Sequence, residues 1–364
     1  MALSQKQLEK QIRPSGGGKD LVIIGMVGLV MIAAFIFFLF KIIGQSEEHV
    51  EKVRKTKMKY QESLKWRPDS NLSEKRILQD LKIDPRRRKA SYRQLDLSRK
   101  SFKYLGRMVS LEDLSLSGCV FKDSWLKYIQ NLPLIAFNLS STNLTDKGTR
   151  YISEIDSLRA LSLSETEISD HGLKAISNLT NLGSIGLDGT NITDNGVRYL
   201  LKLKNLSLLS IANTKLSPIS VDKLVESKRL RALNVQGIYL KRSNVEKIAE
   251  NTKLHFLTMN NCGLTDEDVA PLTKCGTIQR LKMDRNELSD KSLKLLAKLP
   301  QLRFLSVEQC FAITDKGARE FREKKPQCRL KYSPEKNKLQ KGIPLRNINE
   351  EVMFIEDQVR SKGK

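Results

Sequence analysis

Residues 158–176 read LRALSLSETEISDHGLKAI, and units of this form return through most of the chain. Each unit opens on Leu-x-x-Leu-x-Leu or a close apolar variant of it. Nine copies follow one another, the first interval being 23 residues and the next seven 24 residues, and they start at Leu111, Leu134, Leu158, Leu182, Leu206, Leu230, Leu254, Ile278 and Leu302. An irregular earlier copy starts at Tyr92. So regular an interval indicates a repeat protein, in which each unit buries its apolar face only against its neighbours.

The order of residue types within one unit predicts a short strand followed by a short helix. Leu158, Leu161 and Leu163 are expected to belong to a short strand and its lead-in and to point inward. Ser169-Asp170 then supplies the residue types that cap helix N-termini, and equivalent Ser/Thr-Asp pairs occur in most units. Leu173 and Ile176 follow at helical spacing, so we expect a helix that packs behind the strand.

In every unit but one, where Ile238 stands, a small or polar residue lies three positions after the last apolar residue of the opening motif. We expect this ladder position to turn inward and to bond the backbone of neighbouring coils, because stacking would otherwise bury unpaired polar groups. Its occupants are Cys119, Thr142, Thr166, Thr190, Thr214, Ile238, Cys262, Asn286 and Cys310. Two adjacent units depart at the cap, where Ser217-Pro218 and Lys241–Asn244 replace Ser/Thr-Asp, with Pro218 expected in the first helical turn.

The unit at 166–176, repeated at 190–200, resembles the leucine-rich repeats of many bacterial proteins, notably those of planctomycete-like lineages. It is also similar to the cysteine-containing repeats of F-box proteins, although no F-box-like module is recognisable in 41–91. The resemblance implies an α/β solenoid over residues 92–332: a curved horseshoe of about ten repeats with parallel strands on the concave face and short helices on the convex face. It also implies binding of proteins or other macromolecules, and no catalytic residues.

A hydrophobic segment precedes the repeats. Residues 21–40 read LVIIGMVGLVMIAAFIFFLF and carry no charge. Twenty helical residues span about 30 Å, the thickness of a bilayer core. The run exceeds the apolar core of a cleaved signal peptide, which is the alternative interpretation. The sequence thus predicts a transmembrane signal anchor over 21–43, after an N-terminal tail of residues 1–20, as part of the fold class.

The orientation of that anchor rests on the basic residues that flank it. Close to the segment, Arg13 and Lys19 precede it and only Lys41 follows. This bias places the N-terminus in the cytoplasm and the repeats outside it, as a single-pass membrane protein. Counting twenty residues on each side reverses the result.

The chain has 364 residues and a formal net charge of +23, which favours an acidic partner. Residues 41–91 hold 15 basic and 8 acidic side chains, so positive charge is dense in the juxtamembrane linker predicted at 44–91, which we expect to be partly helical. Its densest run, Arg86, Arg87, Arg88 and Lys89, is the candidate contact for an anionic surface. The alternative function is therefore binding of lipid headgroups, acidic envelope polymers or nucleic acid, with nucleic acid the least favoured. The tail at 333–364 has apolar residues at helical spacing and predicts an amphipathic helix.

The sequence shows no arrangement typical of catalysis or of metal and cofactor binding. The three histidines are far apart, and the five cysteines contain no Cys-x-x-Cys pair. Cys119, Cys262 and Cys310 are ladder residues, for which burial as small apolar side chains is the simpler explanation. We therefore expect a non-enzymatic protein without a cofactor.

The predicted concave face is where solenoid proteins usually bind, and its residue types change along the chain. The early repeats place small residues beside the strand leucines, whereas the later ones place large and charged residues there. Aromatic residues and Arg are typical of interface hot spots. The candidate contacts with a protein partner of unknown identity are His255, Phe256, Arg280, Lys282, Arg285, Arg303 and Phe304. The alternative is that Phe256 and Phe304 merely cover neighbouring backbone.

Overall fold

The structure is a computed structural model and describes residues 70–333. These residues form a succession of coils, in which a strand of three or four residues is followed by a short helix. The strands are β1 (Lys89–Ser91), β2 (Asp113–Ser115), β3 (Ala136–Asn138), β4 (Ala160–Ser162), β5 (Ser184–Gly186), β6 (Leu208–Ser210), β7 (Ala232–Asn234), β8 (Phe256–Thr258), β9 (Arg280–Lys282), β10 (Phe304–Val307) and β11 (Arg329–Tyr332).

The helices alternate with these strands. The α-helices are α1 (Ser70–Ile83), α2 (Arg99–Leu105), α3 (Asp146–Ile152), α4 (Asp170–Ile176), α5 (Val197–Leu200), α6 (Pro218–Glu226), α7 (Arg242–Ala249), α8 (Asp266–Val269), α9 (Asp290–Leu296) and α10 (Asp315–Lys324). Short 3-10 segments lie at Asp123–Tyr128, Asp194–Gly196 and Ala270–Lys274. The predicted alternation of strand and helix is confirmed.

All the strands join one parallel sheet in chain order, from β1 to β11. The register repeats with the sequence, so Leu161 pairs with Ile185, and Ile185 pairs with Leu209. The first strand lies at Lys89–Ser91, three residues ahead of the irregular copy suggested at Tyr92. Ala90 pairs with Leu114 and thus stands where later coils have a leucine, which is why the leucine pattern missed this strand.

The core lies between the sheet and the helices. The middle residue of every three-residue strand points into it, and Leu161 and Leu281 are at most 2% exposed. Helix α1 closes the first coil with buried Ile77 and Leu81. Tyr92 donates a hydrogen bond to Asp80 of this helix at 2.8 Å. Burial is continuous from coil to coil, as a stacked array requires.

The predicted Ser/Thr caps are present in most coils, where they also link successive coils; the exception is Thr265, whose hydroxyl donates to Asp268 at 2.6 Å. The Ser169 hydroxyl accepts from the backbone N–H of His171 at the start of α4. The same hydroxyl donates to Asp146 Oδ2 at 2.5 Å, and Ser169 N donates to Asp146 Oδ1 at 2.8 Å. Asp170 accepts two hydrogen bonds from Thr193 of the next coil in the same way: the N–H donates to Oδ1 at 2.9 Å, and Oγ1 donates to Oδ2 at 2.6 Å. We call this series of aspartates and caps the carboxylate ladder; its other regular pairs are Asp123–Thr145, Asp266–Ser289 and Asp290–Thr314.

A glycine three residues after most of these caps, at Gly148, Gly172, Gly196 and Gly317, makes room for the carboxylate ladder. A Cβ atom built on Gly172 would lie 2.5 Å from Asp146 Oδ1, closer than atoms pack. Ser220 and Ser292 occupy the equivalent place in two other coils, and there the hydroxyl donates to the carboxylates of Asp194 and Asp266. Next to a ladder aspartate, this position therefore holds either a glycine or a serine whose hydroxyl donates a hydrogen bond to the aspartate.

The first irregular coil still contacts the preceding aspartate, since Asp194 Oδ1 accepts from the N–H of Ser217 at 2.7 Å and from Ser220 Oγ at 2.5 Å. Pro218 opens α6, as predicted, and occupies the position directly after the cap where the regular coils have the aspartate. In the next coil Asn244 bonds the backbone N–H of Lys241 at the start of α7 and donates to Asp222 at 2.9 Å. The coils remain stacked because β6, β7 and β8 keep their register.

The inward ladder position of the sequence motif, which is distinct from the carboxylate ladder, behaves as predicted only in part. Cys119 Sγ donates to the carbonyl of Tyr92, and Asn286 Nδ2 donates to that of Met259, so both reach the preceding coil. The threonine hydroxyls instead donate hydrogen bonds within their own coil, as Thr166 Oγ1 does to the carbonyl oxygen of Leu163 at 2.5 Å. A short β-branched side chain already meets the carbonyl three residues back, which leaves it no reach to a neighbour. All five cysteines are buried, and none of them is in a disulfide.

The fold-class prediction was wrong in adding a transmembrane helix in front of the solenoid. Over residues 70–333, no helix is long and apolar enough to cross a membrane. The longest helix described there, α1, has 14 residues, whereas a span needs about 20. The segment 21–43 on which the prediction rested lies outside the described residues, and so does nearly all of the tail 333–364.

Candidate functional site

The sheet has one face turned away from the helices, which we call the open face. Side chains alternate along a strand, so the first and third residues of each strand lie on this face when the middle one is buried. The first-position row reads, from β2 to β11, Asp113, Ala136, Ala160, Ser184, Leu208, Ala232, Phe256, Arg280, Phe304 and Arg329. The third-position row reads Ser115, Asn138, Ser162, Gly186, Ser210, Asn234, Thr258, Lys282, Ser306 and Lys331. This is the surface that the sequence analysis expected to be concave.

The register brings three of the candidate residues into one row. Phe256 pairs with Arg280, and Arg280 pairs with Phe304. The guanidinium carbon of Arg280 lies 4.9 Å from the centre of the Phe304 ring, and Lys331 Nζ lies 6.0 Å from the same centre. Such cation–π contacts hold the aromatic ring and both cations in a defined arrangement.

Lys282 joins this group from the third-position row, and the other candidates lie at its margin. His255 precedes β8, with its ring centre 6.5 Å from that of Phe256, and its Nδ1 is 2.6 Å from the carbonyl oxygen of Lys253. Arg303 precedes β10 and is exposed. Arg285 follows β9, is exposed, and donates from Nε to Gln309 Oε1 at 2.7 Å.

Arg285 has a left-handed backbone, but this conformation belongs to the repeat. Its φ is 60°, a value that side chains other than glycine adopt at some cost. The equivalent residue is left-handed in every coil from β1 to β10, filled by glycine at Gly189 and by Asn213 and Asn261 elsewhere. The strained φ of Arg285 is therefore part of the architecture and no sign of a site.

A hollow lies on the open face beside Phe256. It has a volume of about 90 Å³, several times the ~10–15 Å³ that admits one water molecule. Ser184, Leu208 and Ala232 contribute from the first-position row, and Phe256 stands next to them as a larger side chain. Asn234, Thr258 and Lys282 line it from the third-position row. The hollow arises from a difference in size between side chains that are one repeat apart, so no motif in the sequence predicted it.

Polar side chains beside the hollow bond one another from coil to coil. Asn260 Nδ2 lies 3.3 Å from Gln236 Oε1, and Asn260 Oδ1 accepts from the backbone N–H of Asp284 at 2.8 Å. Asp284 Oδ1 accepts from Ser306 Oγ at 2.6 Å and from the N–H of Glu308 at 2.7 Å. These bonds hold the polar border of the hollow in place before any ligand arrives.

Asp188 is a further residue that sequence reasoning did not single out. Its side chain is buried, and its Oδ1 accepts from Ser210 Oγ at 2.5 Å and from the N–H of Ala212 at 2.7 Å. Burial raises the pKa of Asp188 to about 6, against the opposing effect of these two hydrogen bonds, and the nearby Glu165 raises it further. An aspartate beside small strand residues gave no signal in the sequence that it would be enclosed.

The basic run Arg86–Lys89 is largely paired with acidic residues. Arg87 lies 3.2 Å from Asp80, Arg88 bonds Glu112, and Lys89 lies 4.0 Å from Asp113. The last two pairs are exposed, and such pairs contribute little to stability. They do, however, set acidic charge directly against the cations proposed for an anionic surface.

No group of three or more His, Cys, Asp or Glu side chains within residues 70–333 is placed to hold a metal ion. Burial raises the pKa of the Cys262 thiol to about 12 and that of Cys310 to about 11. Thiols with such a raised pKa are poor nucleophiles at neutral pH.

The comparisons with known proteins concern the repeat itself. Residues 157–177 match the family model described as Leucine Rich repeat. No curated protein sequence matches the chain. Solved structures that resemble it include an internalin from Listeria monocytogenes, with 23% identity, 68% of each chain covered and a TM-score of 0.49. The matched repeat recurs at a 24-residue interval and folds each time into a strand and a helix, so this chain is a leucine-rich-repeat protein.

Proposed function

We propose that the chain is a binding module for a protein partner, which it holds with the part of the open face formed by β8–β11. Stacked repeats offer an extended surface that a partner contacts over several coils. The observation that carries the proposal is the continuous row of Phe256, Arg280 and Phe304 on neighbouring strands. Aromatic side chains and Arg are enriched among residues that dominate binding energy.

The two aromatic residues have different roles in this proposal. The Phe304 ring is in contact with Arg280 and Lys331, so it orients their charges toward the partner. Phe256 is only partly buried and borders the hollow, so its ring offers apolar surface directly. A side chain that only covered backbone would be as useful on the early strands, where alanine and serine stand instead.

The test is recovery of partners from a lysate of the source cells. The face variant carries Phe256→Ala, Arg280→Ala and Phe304→Ala. The control variant carries Lys291→Ala, Lys316→Ala and Arg319→Ala, which remove exposed charges from α9 and α10. Circular dichroism first establishes that both are folded.

We expect partner proteins to be recovered with the wild type and the control, and recovery with the face variant to fall at least tenfold, since each hot-spot truncation costs more than about 1 kcal/mol. Equal recovery with the face variant would show that binding does not use β8–β11.

A further inference from the structure

We infer that the hollow on the open face receives an apolar side chain from an extended segment of the partner, while Arg280 and Lys282 bind an acidic side chain of the same segment. The inference rests on the proposed function and adds to it the chemistry of the partner.

The shape of the hollow favours an apolar side chain. The first-position row changes from Ala232 on β7 to Phe256 on β8, so an aromatic side chain stands beside a small one. Leu208 borders Ala232 from the other side. A guest side chain above Ala232 would contact apolar groups on two sides, and its removal from water would favour binding.

The fixed border of the hollow also favours binding. Asn234 donates to Ser210 Oγ at 2.9 Å and accepts from the N–H of Gln236, and Gln236 is bonded in turn to Asn260. Side chains that are already held in place lose little conformational freedom when a ligand binds.

The charge next to the hollow determines the second contact. The first and third positions of β9 and β11 hold four cations, Arg280, Lys282, Arg329 and Lys331. The same positions hold no acidic residue from β3 to β11. Asp284, two residues after Lys282, is a carboxylate of the same coil, and its Oδ1 accepts from Ser306 Oγ. Such a surface attracts a carboxylate and repels a basic segment.

The spacing of the two contacts predicts a spacing in the partner. Ala232 lies on β7 and Lys282 on β9, two strands away. Adjacent strands are ~4.8 Å apart, so the contacts are separated by roughly 10 Å across the sheet. An extended chain covers that distance in about three residues. The segment therefore carries an acidic residue about three positions from an apolar one.

The probe for this inference is a phage-displayed library of short random peptides, selected on the immobilised full chain. Individual peptides are then measured by fluorescence anisotropy against variants. Ala232→Phe fills the hollow; because Leu208 and Phe256 stand on either side of Ala232, circular dichroism first establishes that this variant is folded. Ala160→Phe on β4 is its matched control. Lys282→Glu reverses one charge, and Lys291→Glu on α9 is its control.

We expect the selected peptides to share an acidic residue about three positions from an apolar one. Ala232→Phe and Lys282→Glu should each weaken their binding about tenfold or more, whereas the two controls should leave it unchanged. Restoring an acid–base pair, with Lys282→Glu against a peptide whose acid is replaced by Lys, should recover part of the affinity.

Two results would overturn the inference in distinguishable ways. If the peptides bind Ala232→Phe and Lys282→Glu as they bind the wild type but lose binding to the Phe256/Arg280/Phe304 alanine variant, the chemistry of the partner is wrong and the proposed function stands. If no peptide is enriched, or if enriched peptides bind all these variants equally, both the inference and the proposed function fail.

Discussion

The carboxylate ladder on the helix side and the open face of the sheet are parts of the same coils, yet they differ in how they use the repeat. Along the ladder, Asp146 and Asp170 each receive a hydroxyl and an N–H from the next coil in nearly the same geometry. On the open face, equivalent positions hold Ala160, Leu208, Phe256 and Arg280 in different coils. The positions that repeat stack the coils, and those that vary form the surface proposed for partner binding.

The largest expected effect comes from the core that both regions share. Leu187→Ala removes a buried side chain with no exposed surface and leaves a cavity between coils. We expect a loss of about 2–5 kcal/mol in the free energy of unfolding, measured by denaturant titration. Leu201→Ala is the control, because Leu201 is 42% exposed. A Leu187→Ala protein as stable as the control would mean that the coils do not depend on this packing.

The second effect tests the buried carboxylate on the sheet side, Asp188. Its pKa of about 6 is above the ordinary value of 3.8, so the folded protein retains a proton that the unfolded chain loses. The contribution of this group to stability is therefore greatest below about pH 4, falls as the pH rises to about 6, and is constant above. Two pKa units correspond to on the order of 3 kcal/mol.

Asp188→Asn should remove that fall from the stability–pH profile, measured by thermal or urea unfolding between pH 4 and pH 7. Asparagine already stands at the equivalent position at Asn260, where its Oδ1 accepts a backbone N–H. Asp156→Asn, at an exposed site, should leave the profile as in the wild type. An identical fall in the Asp188→Asn protein would assign it to other groups.

The third effect tests the ladder. Gly172→Ala places a methyl group against Asp146 Oδ1 and Ile168, and such overpacking costs about 1–3 kcal/mol. Gly276→Ala is the control, since a Cβ there has no atom within 4 Å. Gly172→Ser should cost less than Gly172→Ala, because serine bonds the carboxylate at this place in two other coils. Equal urea midpoints for all three variants would show that the ladder does not need this glycine.

The smallest effect on stability is expected on the open face. The Phe256/Arg280/Phe304 alanine variant removes partly exposed side chains, so each substitution should lower the free energy of unfolding by no more than about 1 kcal/mol. The same variant should lose partner binding. A loss of stability as large as that of Leu187→Ala would mean that these residues serve the fold, and the contrast between the two regions would disappear.

Sequence reasoning correctly predicted the features that depend only on residues of a single repeat. The cap at Ser169 and the entry of Pro218 into a helix follow from local backbone chemistry, which neighbours in the chain determine. The strand at Lys89–Ser91 was missed because alanine replaces leucine there. The transmembrane helix was inferred from hydropathy alone, and no described helix has that character.

The candidate site was predicted in its residue types but not in its geometry. The sequence shows that Phe256, Arg280 and Phe304 occur at one repeat position. It does not show that Arg280 stacks on the Phe304 ring, that Arg87–Lys89 face acidic residues, or that a hollow lies above Ala232. Each of these depends on the conformation of side chains from different coils.

The sequence by itself determined the repeat, its strand and helix, and the row to which each side chain belongs, because periodicity and capping act over a few residues. Only the tertiary structure decided which side chains of neighbouring coils are in contact. Asp170 meets Thr193, Asp188 meets Ser210, and Ala232 meets Phe256 only after the coils stack in register. Residues about one repeat apart in the chain then become neighbours about one strand spacing apart, where hydrogen bonds, burial and differences in size take effect.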